Sequence, residues 1–141
     1  MSEPSLHHVG HVVTSIADSL ARWRADLGAV TVSEVVEDPI QRVRAVFLGL
    51  PPEGAVQFEL LEPIGADSPV ASLLTKGGGL HHLCFEVDDL DRHIEQMRAL
   101  KLSLVRRPQP AVAFNGRRIA WVLTRDKLLV EYLERRPAVN P

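Results

Sequence analysis

The chain has 141 residues, a formal net charge of −2, 45% apolar residues and a single cysteine. This length fits one well-buried domain, and scattered basic residues with a near-neutral balance argue against nucleic acid or an anionic membrane as a partner. Because one cysteine cannot form an internal disulfide, and neither a signal-peptide pattern nor an apolar run of about 20 residues is present, we expect a cytoplasmic protein that spans no membrane.

The first half of the chain predicts a strand, a helix and three further strands. Residues 6–14 have the composition of a strand, Ser15 is suited to cap a helix, and Gly28 should end that helix. The three strands that follow are expected at residues 29–36, 42–50 and 55–61.

A connector at residues 64–79 precedes the second half. Asp67-Ser-Pro69 predicts the start of a short helix that ends near Thr75, and three glycines follow at 77–79. We interpret the glycines as a flexible linker rather than as a phosphate cradle, because no Lys-Ser/Thr pair follows them.

The second half repeats the plan of the first, with Asp89 at the start of its helix. Its strands are expected at residues 80–87, 102–107, 117–124 and 127–134. We therefore predict an α+β fold of two βαβββ modules in a single domain, 1–141. The boundaries are 6–63 for module one, 64–79 for the connector and 80–134 for module two.

The repeat keeps one register through strand and helix. His82 follows His8 by 74 residues, and the apolar helix positions obey the same offset. These pairs are Ile16 with Leu90, Leu20 with Ile94, and Trp23 with Met97. Repeated spacing of this kind places His8 and His82 at equivalent positions of two structural copies.

Each copy also has an acidic residue in its last strand. Glu59 lies 51 residues after His8, and Glu131 lies 49 residues after His82. Alternation of side chains along a strand separates each of these glutamates from the neighbours that should pack under a helix. Both histidines and both glutamates can converge if the two halves pack about a pseudo-two-fold axis.

Two imidazoles and two carboxylates form a mixed nitrogen and oxygen set that suits a divalent ion such as Co, Ni, Zn, Mn or Fe(II). Without the repeat, His8 and His82 would be read as structural histidines. Two other histidines, His7 and His81, fall on the predicted packing side, and His11 is also interpreted as structural. The last histidine, His93, is expected on a solvated helix face.

Several stretches together resemble the vicinal oxygen chelate superfamily, the fold of glyoxalase I and extradiol dioxygenases, and within it the methylmalonyl-CoA epimerase branch most of all. They are His7-His-Val-Gly10, Asp38-Pro-Ile-Gln-Arg-Val-Arg44, Phe58-Glu-Leu-Leu-Glu-Pro63, Asp67-Ser-Pro-Val-Ala71, Gly79-Leu-His-His82, Phe85-Glu-Val-Asp-Asp89 and Leu129-Val-Glu131. The resemblance implies a curved mixed sheet that forms a cup, in which a divalent metal is bound by His8, Glu59, His82 and Glu131.

The resemblance further implies a metal-dependent epimerase that acts on a 2-acyl malonyl thioester or a related acyl-CoA, with Glu131 and Glu59 as catalytic residues. Relatives often have Gln at the position of Glu59, and several have a glutamate at the position of Ala45. The family's His-Pro-Lys element is replaced by Leu123-Thr-Arg-Asp-Lys127. A homodimer is expected, and candidate contacts for CoA phosphates are Arg42, Arg44, Arg117 and Arg118.

Three other functions fit part of the pattern. A glyoxalase-like lyase or isomerase of secondary metabolism would retain all four ligands and act on another α-acidic carbonyl compound. An extradiol-type dioxygenase would use two histidines and one glutamate with Fe(II). A metal-free binding or resistance protein would use the cup to sequester a small molecule.

Overall fold

The computed structural model describes residues 3–54 and 56–135, in which nine strands and three α-helices form two compact units. Residues 8–82 belong to the first unit, and residues 3–7 with 83–135 belong to the second. Each unit combines parallel and antiparallel strand pairs with helices. The structure therefore confirms the α+β class with mixed strand pairing, while the module boundaries stay a prediction.

The first unit contains the elements of the first repeat. These elements are β1 (Ser5–Val12, entering this unit at His8), α1 (Ile16–Leu27), β2 (Val30–Thr31), β3 (Val36–Asp38), β4 (Val43–Gly49), β5 (Gln57–Pro63) and α2 (Ala71–Thr75). The strand order is β2–β4–β5–β1, and β3 pairs with β4. The β1/β5 pair is parallel, whereas β4 is antiparallel to its neighbours.

The second unit repeats this plan. Its elements are β6 (Gly79–Val87, in this unit from Leu83), α3 (Leu90–Ala99), β7 (Ser103–Pro110), a short 3-10 helix (Val112–Phe114), β8 (Arg118–Leu123) and β9 (Leu129–Glu134). The strand order is β6–β9–β8–β7, and the β6/β9 pair is parallel. In both copies, therefore, the first strand pairs in parallel with the last strand.

The two long helices begin with the same type of cap. The Ser15 side chain accepts a hydrogen bond from the Asp18 N–H at 3.2 Å, and the Asp89 carboxylate accepts one from the Arg92 N–H at 3.1 Å. Such caps satisfy amide groups that have no partner within the helix. The caps lie at the same offset as the histidines, so the repeat extends to helix initiation.

Each long helix buries one apolar face. Ile16 of α1 packs in a cluster with Leu60 of β5, and Leu90 of α3 packs with Val130 and Tyr132 of β9. Full burial of one such side chain stabilises the fold by about 1.5–3 kcal/mol. Leu27, the last residue of α1, is 49% exposed, so the buried face of α1 ends before the final turn.

The predicted strand at residues 29–36 is wrong, because only its two ends pair with β4. Between β2 and β3, the Ser33 hydroxyl accepts a hydrogen bond from the Phe47 N–H at 2.9 Å. A side chain therefore replaces the backbone acceptor that a continuous strand would provide. The apolar, β-branched composition of residues 29–36 does not indicate that a side-chain hydroxyl takes the place of a backbone acceptor.

The triple glycine makes a turn between α2 and the start of β6, and its role as a flexible linker stays a prediction. The Gly78 N–H donates to the Leu73 carbonyl at 3.0 Å, and its φ of 77° lies in the left-handed region. A Cβ at Gly78 would lie 2.6 Å from the Val12 carbonyl oxygen. Glycine is therefore required there by both conformation and contact.

None of the helices in the described part of the chain is long and apolar enough to cross a membrane.

Candidate metal centre

Three of the four predicted ligands meet within the first unit. The Nε2 atoms of His8 and His82 are 3.2 Å apart. The Glu59 Oε1 atom lies 3.3 Å from the first of these nitrogens and 3.4 Å from the second. These three atoms form a nearly equilateral triangle of potential ligand atoms.

The triangle is shielded from solvent. His8, Glu59 and His82 are 0%, 5% and 3% exposed, and the His8 ring packs edge-on against Phe47 with 5.1 Å between ring centroids. Imidazole and carboxylate groups at such depth need strong partners, because burial removes their hydration. Their close approach therefore has to be balanced by protons or by a bound cation.

The donor set fits a divalent metal. Ligand atoms about 2.1 Å from an ion lie about 3.0 Å apart when cis in octahedral geometry and about 3.4 Å apart in tetrahedral geometry. The three observed separations span 3.2–3.4 Å, which lies within that range. Mixed nitrogen and oxygen donors of this kind suit borderline transition ions.

The fourth predicted ligand, Glu131, lies on β9 in the second unit and is 3% exposed. Its register partners are Cys84 on β6 and Trp121 on β8. Val130 and Tyr132, its chain neighbours, belong to the apolar cluster under α3, as the alternation predicted. The role of Glu131 as a ligand stays a prediction.

Two residues outside the predicted ligand set lie against the His82 ring. The Nδ1 atom of His81 lies 2.8 Å from the Nδ1 atom of His82. A Cβ placed on Gly10 would lie 2.1 Å from Cε1 of the same ring. Strand alternation assigned His81 to the opposite face and could not reveal its contact with a sequence neighbour.

The remaining histidines pack against aromatic rings. His7 lies edge-on to Phe114 at 5.7 Å, and His11 lies edge-on to Trp23 of α1 at 5.3 Å, as expected for a structural histidine. Burial lowers the pKa of His11.

The expectation that His93 is solvated is wrong. Its ring centroid lies 4.4 Å from that of Tyr132, and burial lowers its pKa below the usual value. The helical position of His93, three residues after Leu90, explains why it turns toward the apolar face.

The four arginines proposed to meet phosphate groups all have carboxylate partners. Arg42 pairs with Asp67, and Arg44 bridges Glu37 and Glu62. In the second unit, Arg117 lies 3.1 Å from Glu86, and Arg118 contacts both Asp91 and Glu134. Because their charges are compensated within the fold, these side chains carry no argument for a phosphate site.

The Ala45 position, for which the family resemblance suggests a glutamate, is apolar. Ala45 lies in β4 and packs in a buried cluster with Val12, Leu61 and Val70. No acid or base is available from this side chain. Any proton transfer must therefore use another group.

Comparison with known proteins agrees with this architecture. The family model described as Glyoxalase/Bleomycin resistance protein/Dioxygenase superfamily matches residues 7–121. The chain is 38% identical over 99 residues to human mitochondrial methylmalonyl-CoA epimerase. The aligned region covers 69% of this chain and 54% of the human protein. It thus spans about half the length of that relative.

Two bacterial proteins match over more of their length. Ethylmalonyl-CoA/methylmalonyl-CoA epimerase of Cereibacter sphaeroides is 29% identical over 123 residues, which is 86% of this chain and 89% of that protein. The crystal structure of methylmalonyl-CoA epimerase from Mycobacterium tuberculosis is 28% identical with a TM-score of 0.81, and the match covers 94% of this chain and 88% of the other. The similarity therefore includes the whole repeat.

Proposed function

Because the chain belongs to the glyoxalase/bleomycin resistance protein/dioxygenase superfamily, we propose that it is a metal-dependent epimerase of a 2-acyl malonyl thioester, such as methylmalonyl-CoA. The observation that carries this proposal is the buried triangle of two imidazole nitrogens and one carboxylate oxygen within 3.4 Å. The names of the human and Cereibacter sphaeroides relatives support the choice of substrate class.

The proposed ligand set is His8, Glu59, His82 and Glu131. Three of these side chains already approach one another, and the fourth occupies the equivalent strand of the second repeat. Two neutral imidazoles and two carboxylates would balance the charge of a divalent ion, whether Co, Ni, Zn, Mn or Fe(II). Three buried donors at this spacing are preorganised and need little rearrangement on binding.

The reaction requires removal of the acidic proton on the α-carbon and its return to the opposite face. A divalent ion at this site would supply positive charge that stabilises the enolate oxygen. We assign the transfer of the proton to the Glu131 carboxylate, because Ala45 provides no acid or base, and we assign Glu59 the role of its partner. General acid-base catalysis by such a group contributes about 10²–10⁴-fold.

The direct test uses one pure epimer of methylmalonyl-CoA. Metal is removed from the full chain with a chelator, the protein is reloaded with Co²⁺, Ni²⁺, Zn²⁺ or Mn²⁺ in turn, and conversion to the other epimer is followed by chiral chromatography. Conversion that disappears with the chelator and returns with an ion supports the proposal. A metal-loaded protein that leaves the epimer unchanged contradicts it.

Related carbonyl compounds distinguish the other candidates. Turnover of a different α-acidic carbonyl compound by the loaded protein, without methylmalonyl-CoA epimerisation, would identify a lyase or isomerase of the same superfamily. A protein that binds no divalent ion would favour a metal-free binding role. The expected homodimer stays a prediction, which light scattering checks.

A further inference from the structure

We infer that Gly10 and His81 are positioning residues that hold the His82 imidazole for metal binding. The inference rests on the proposed metal site and adds to it two side chains outside the ligand set. Gly10 provides the space in which the ring lies, and His81 fixes the ring through its other nitrogen. Neither residue supplies a ligand atom to the triangle.

Gly10 lies next to two of the proposed ligands in the strand register. It is two residues after His8 on β1 and therefore points to the same face. In the parallel β1/β5 pair its Cα partner is Glu59. A side chain at this position would thus enter the space between the first histidine and the glutamate.

The His82 ring fills that space. A Cβ on Gly10 would lie 2.1 Å from Cε1, 2.3 Å from Nδ1 and 2.7 Å from Nε2 of the ring. Relief of these contacts requires a ring movement on the order of 1 Å, because carbon atoms make favourable contact at about 3.5–4.0 Å. The φ of Gly10 lies outside the left-handed region, so an alanine there is acceptable to the backbone and excluded by the ring.

His81 lies within hydrogen-bond distance of the other nitrogen of the same ring. Its Nδ1 atom is 2.8 Å from Nδ1 of His82, a hydrogen-bond distance that requires one proton between the two nitrogens. A neutral His82 that donates this proton from Nδ1 keeps the lone pair on Nε2, the atom that faces His8 and Glu59. A second hydrogen bond of this kind fixes both the tautomer and the angle of a ligating histidine.

The test compares two glycine-to-alanine variants in strands of the same unit. Gly10→Ala should displace the ring, whereas Gly49→Ala in β4 places a Cβ at an ordinary 3.5 Å from Val32 Cγ1. Co²⁺ affinity is measured by competition with a chelator, and the visible absorption of bound Co²⁺ reports ligand geometry. We expect Gly10→Ala to weaken affinity about 10–100-fold and to change the spectrum, while Gly49→Ala retains both.

His81 variants provide an independent readout should Gly10→Ala fail to fold. His81→Phe keeps a ring but removes the hydrogen bond, and it should also weaken Co²⁺ binding about 10–100-fold. His81→Asn retains a short polar group and should recover part of the affinity. The thermal midpoint of each metal-free variant is measured alongside. We expect it to stay close to the wild-type value, whereas the Co²⁺ affinity falls.

The outcomes separate the inference from the proposed function. Wild-type affinity and spectrum in both Gly10→Ala and His81→Phe would overturn the positioning roles and leave the epimerase proposal intact. Co²⁺ binding with the predicted losses, but no epimerisation by the wild type, would support the positioning roles and contradict the proposed function. A wild-type protein that binds no Co²⁺ or other divalent ion would overturn both.

Discussion

The two parallel strand pairs, β1/β5 and β6/β9, show the same register with one difference. In each pair the residue two positions after the repeated histidine is the Cα partner of the repeated glutamate. In the first pair these partners are Gly10 and Glu59, and in the second they are Cys84 and Glu131. One copy has no side chain where the other has a fully buried thiol.

The difference shows that the two copies share the same strand pairing but differ in the side-chain volume at equivalent positions. The Gly10 position leaves room for the imidazole of His82, and this room exists only because no Cβ is present. The Cys84 side chain fits its own surroundings and is 0% exposed. Symmetry of the repeat therefore predicts which residues are equivalent, whereas local volume decides what each position can accommodate.

Exchange of each glutamate for glutamine gives the largest expected contrast between the copies. Glu131→Gln should reduce epimerisation about 10²–10⁴-fold, because an amide cannot accept the α-proton. Glu59→Gln retains an oxygen donor for the metal and leaves the base Glu131 in place, so that water can return the proton and a smaller loss is expected. Steady-state rates with metal content measured for each variant test this order, and equal losses would contradict the assignment of the base to Glu131.

The helix faces should behave alike in the two copies. Ile16 and Leu90 occupy equivalent positions, and both are buried in apolar clusters. Ile16→Ala and Leu90→Ala should each lower the free energy of unfolding by about 2–5 kcal/mol, since both remove a packed aliphatic group. Urea unfolding of the metal-free proteins measures this. A loss under 1 kcal/mol in one copy would show that its helix packs loosely there.

Cys84→Ala tests the other side of the unequal pair. The substitution removes a buried sulfur but adds no volume, so we expect a stability loss of about 1 kcal/mol and an unchanged Co²⁺ affinity. Chemical denaturation and chelator competition provide the two measurements. A loss of affinity equal to that of Gly10→Ala would mean that both small positions control ligand geometry in the same way.

The smallest expected effect concerns a half-buried imidazole in each copy, His11 beside Trp23 and His93 beside Tyr132. Burial lowers the pKa of both, while a histidine in the unfolded chain titrates near the ordinary value of 6.5. Below about pH 6.5 the unfolded state therefore binds more protons than the folded state. The free energy of unfolding decreases as the pH is lowered, until the pH falls below the lower pKa of the folded state.

Replacement of either ring by Phe should remove part of this acid destabilisation. We expect the drop in urea midpoint between about pH 7.5 and about pH 5.5 to be smaller in His93→Phe and in His11→Phe than in the wild type. The effect should be similar in size for the two variants. An unchanged or steeper drop would contradict the sign of the shift.

The sequence repeat was sufficient to predict the elements that position the site. The shared offset of 74 residues identified His8, His82 and the helix faces, because periodicity reports which side of a strand or helix is buried. The contacts of His82 with Gly10 and His81 required coordinates. A glycine indicates missing volume without indicating its occupant, and two adjacent strand residues are expected on opposite faces.

The loop segments are also difficult to predict from the sequence, because their conformations depend on contacts with other parts of the chain. The Ser33 hydroxyl accepts a hydrogen bond from the Phe47 N–H in place of a backbone carbonyl of a neighbouring strand. The glycine turn lies so close to the Val12 carbonyl that it has no room for a side chain at Gly78. Both features depend on contacts between segments that are distant in the sequence. Composition alone does not specify such contacts.

The central claim is that buried histidine and glutamate ligands support removal and return of an α-proton. The most direct measurement is epimerisation of methylmalonyl-CoA by the metal-loaded protein in deuterated water, with the product analysed by mass spectrometry. The account predicts deuterium at the α-carbon of the epimerised product, and loss of both exchange and epimerisation in Glu131→Gln. Epimerised product without deuterium, or full exchange by Glu131→Gln, would contradict it.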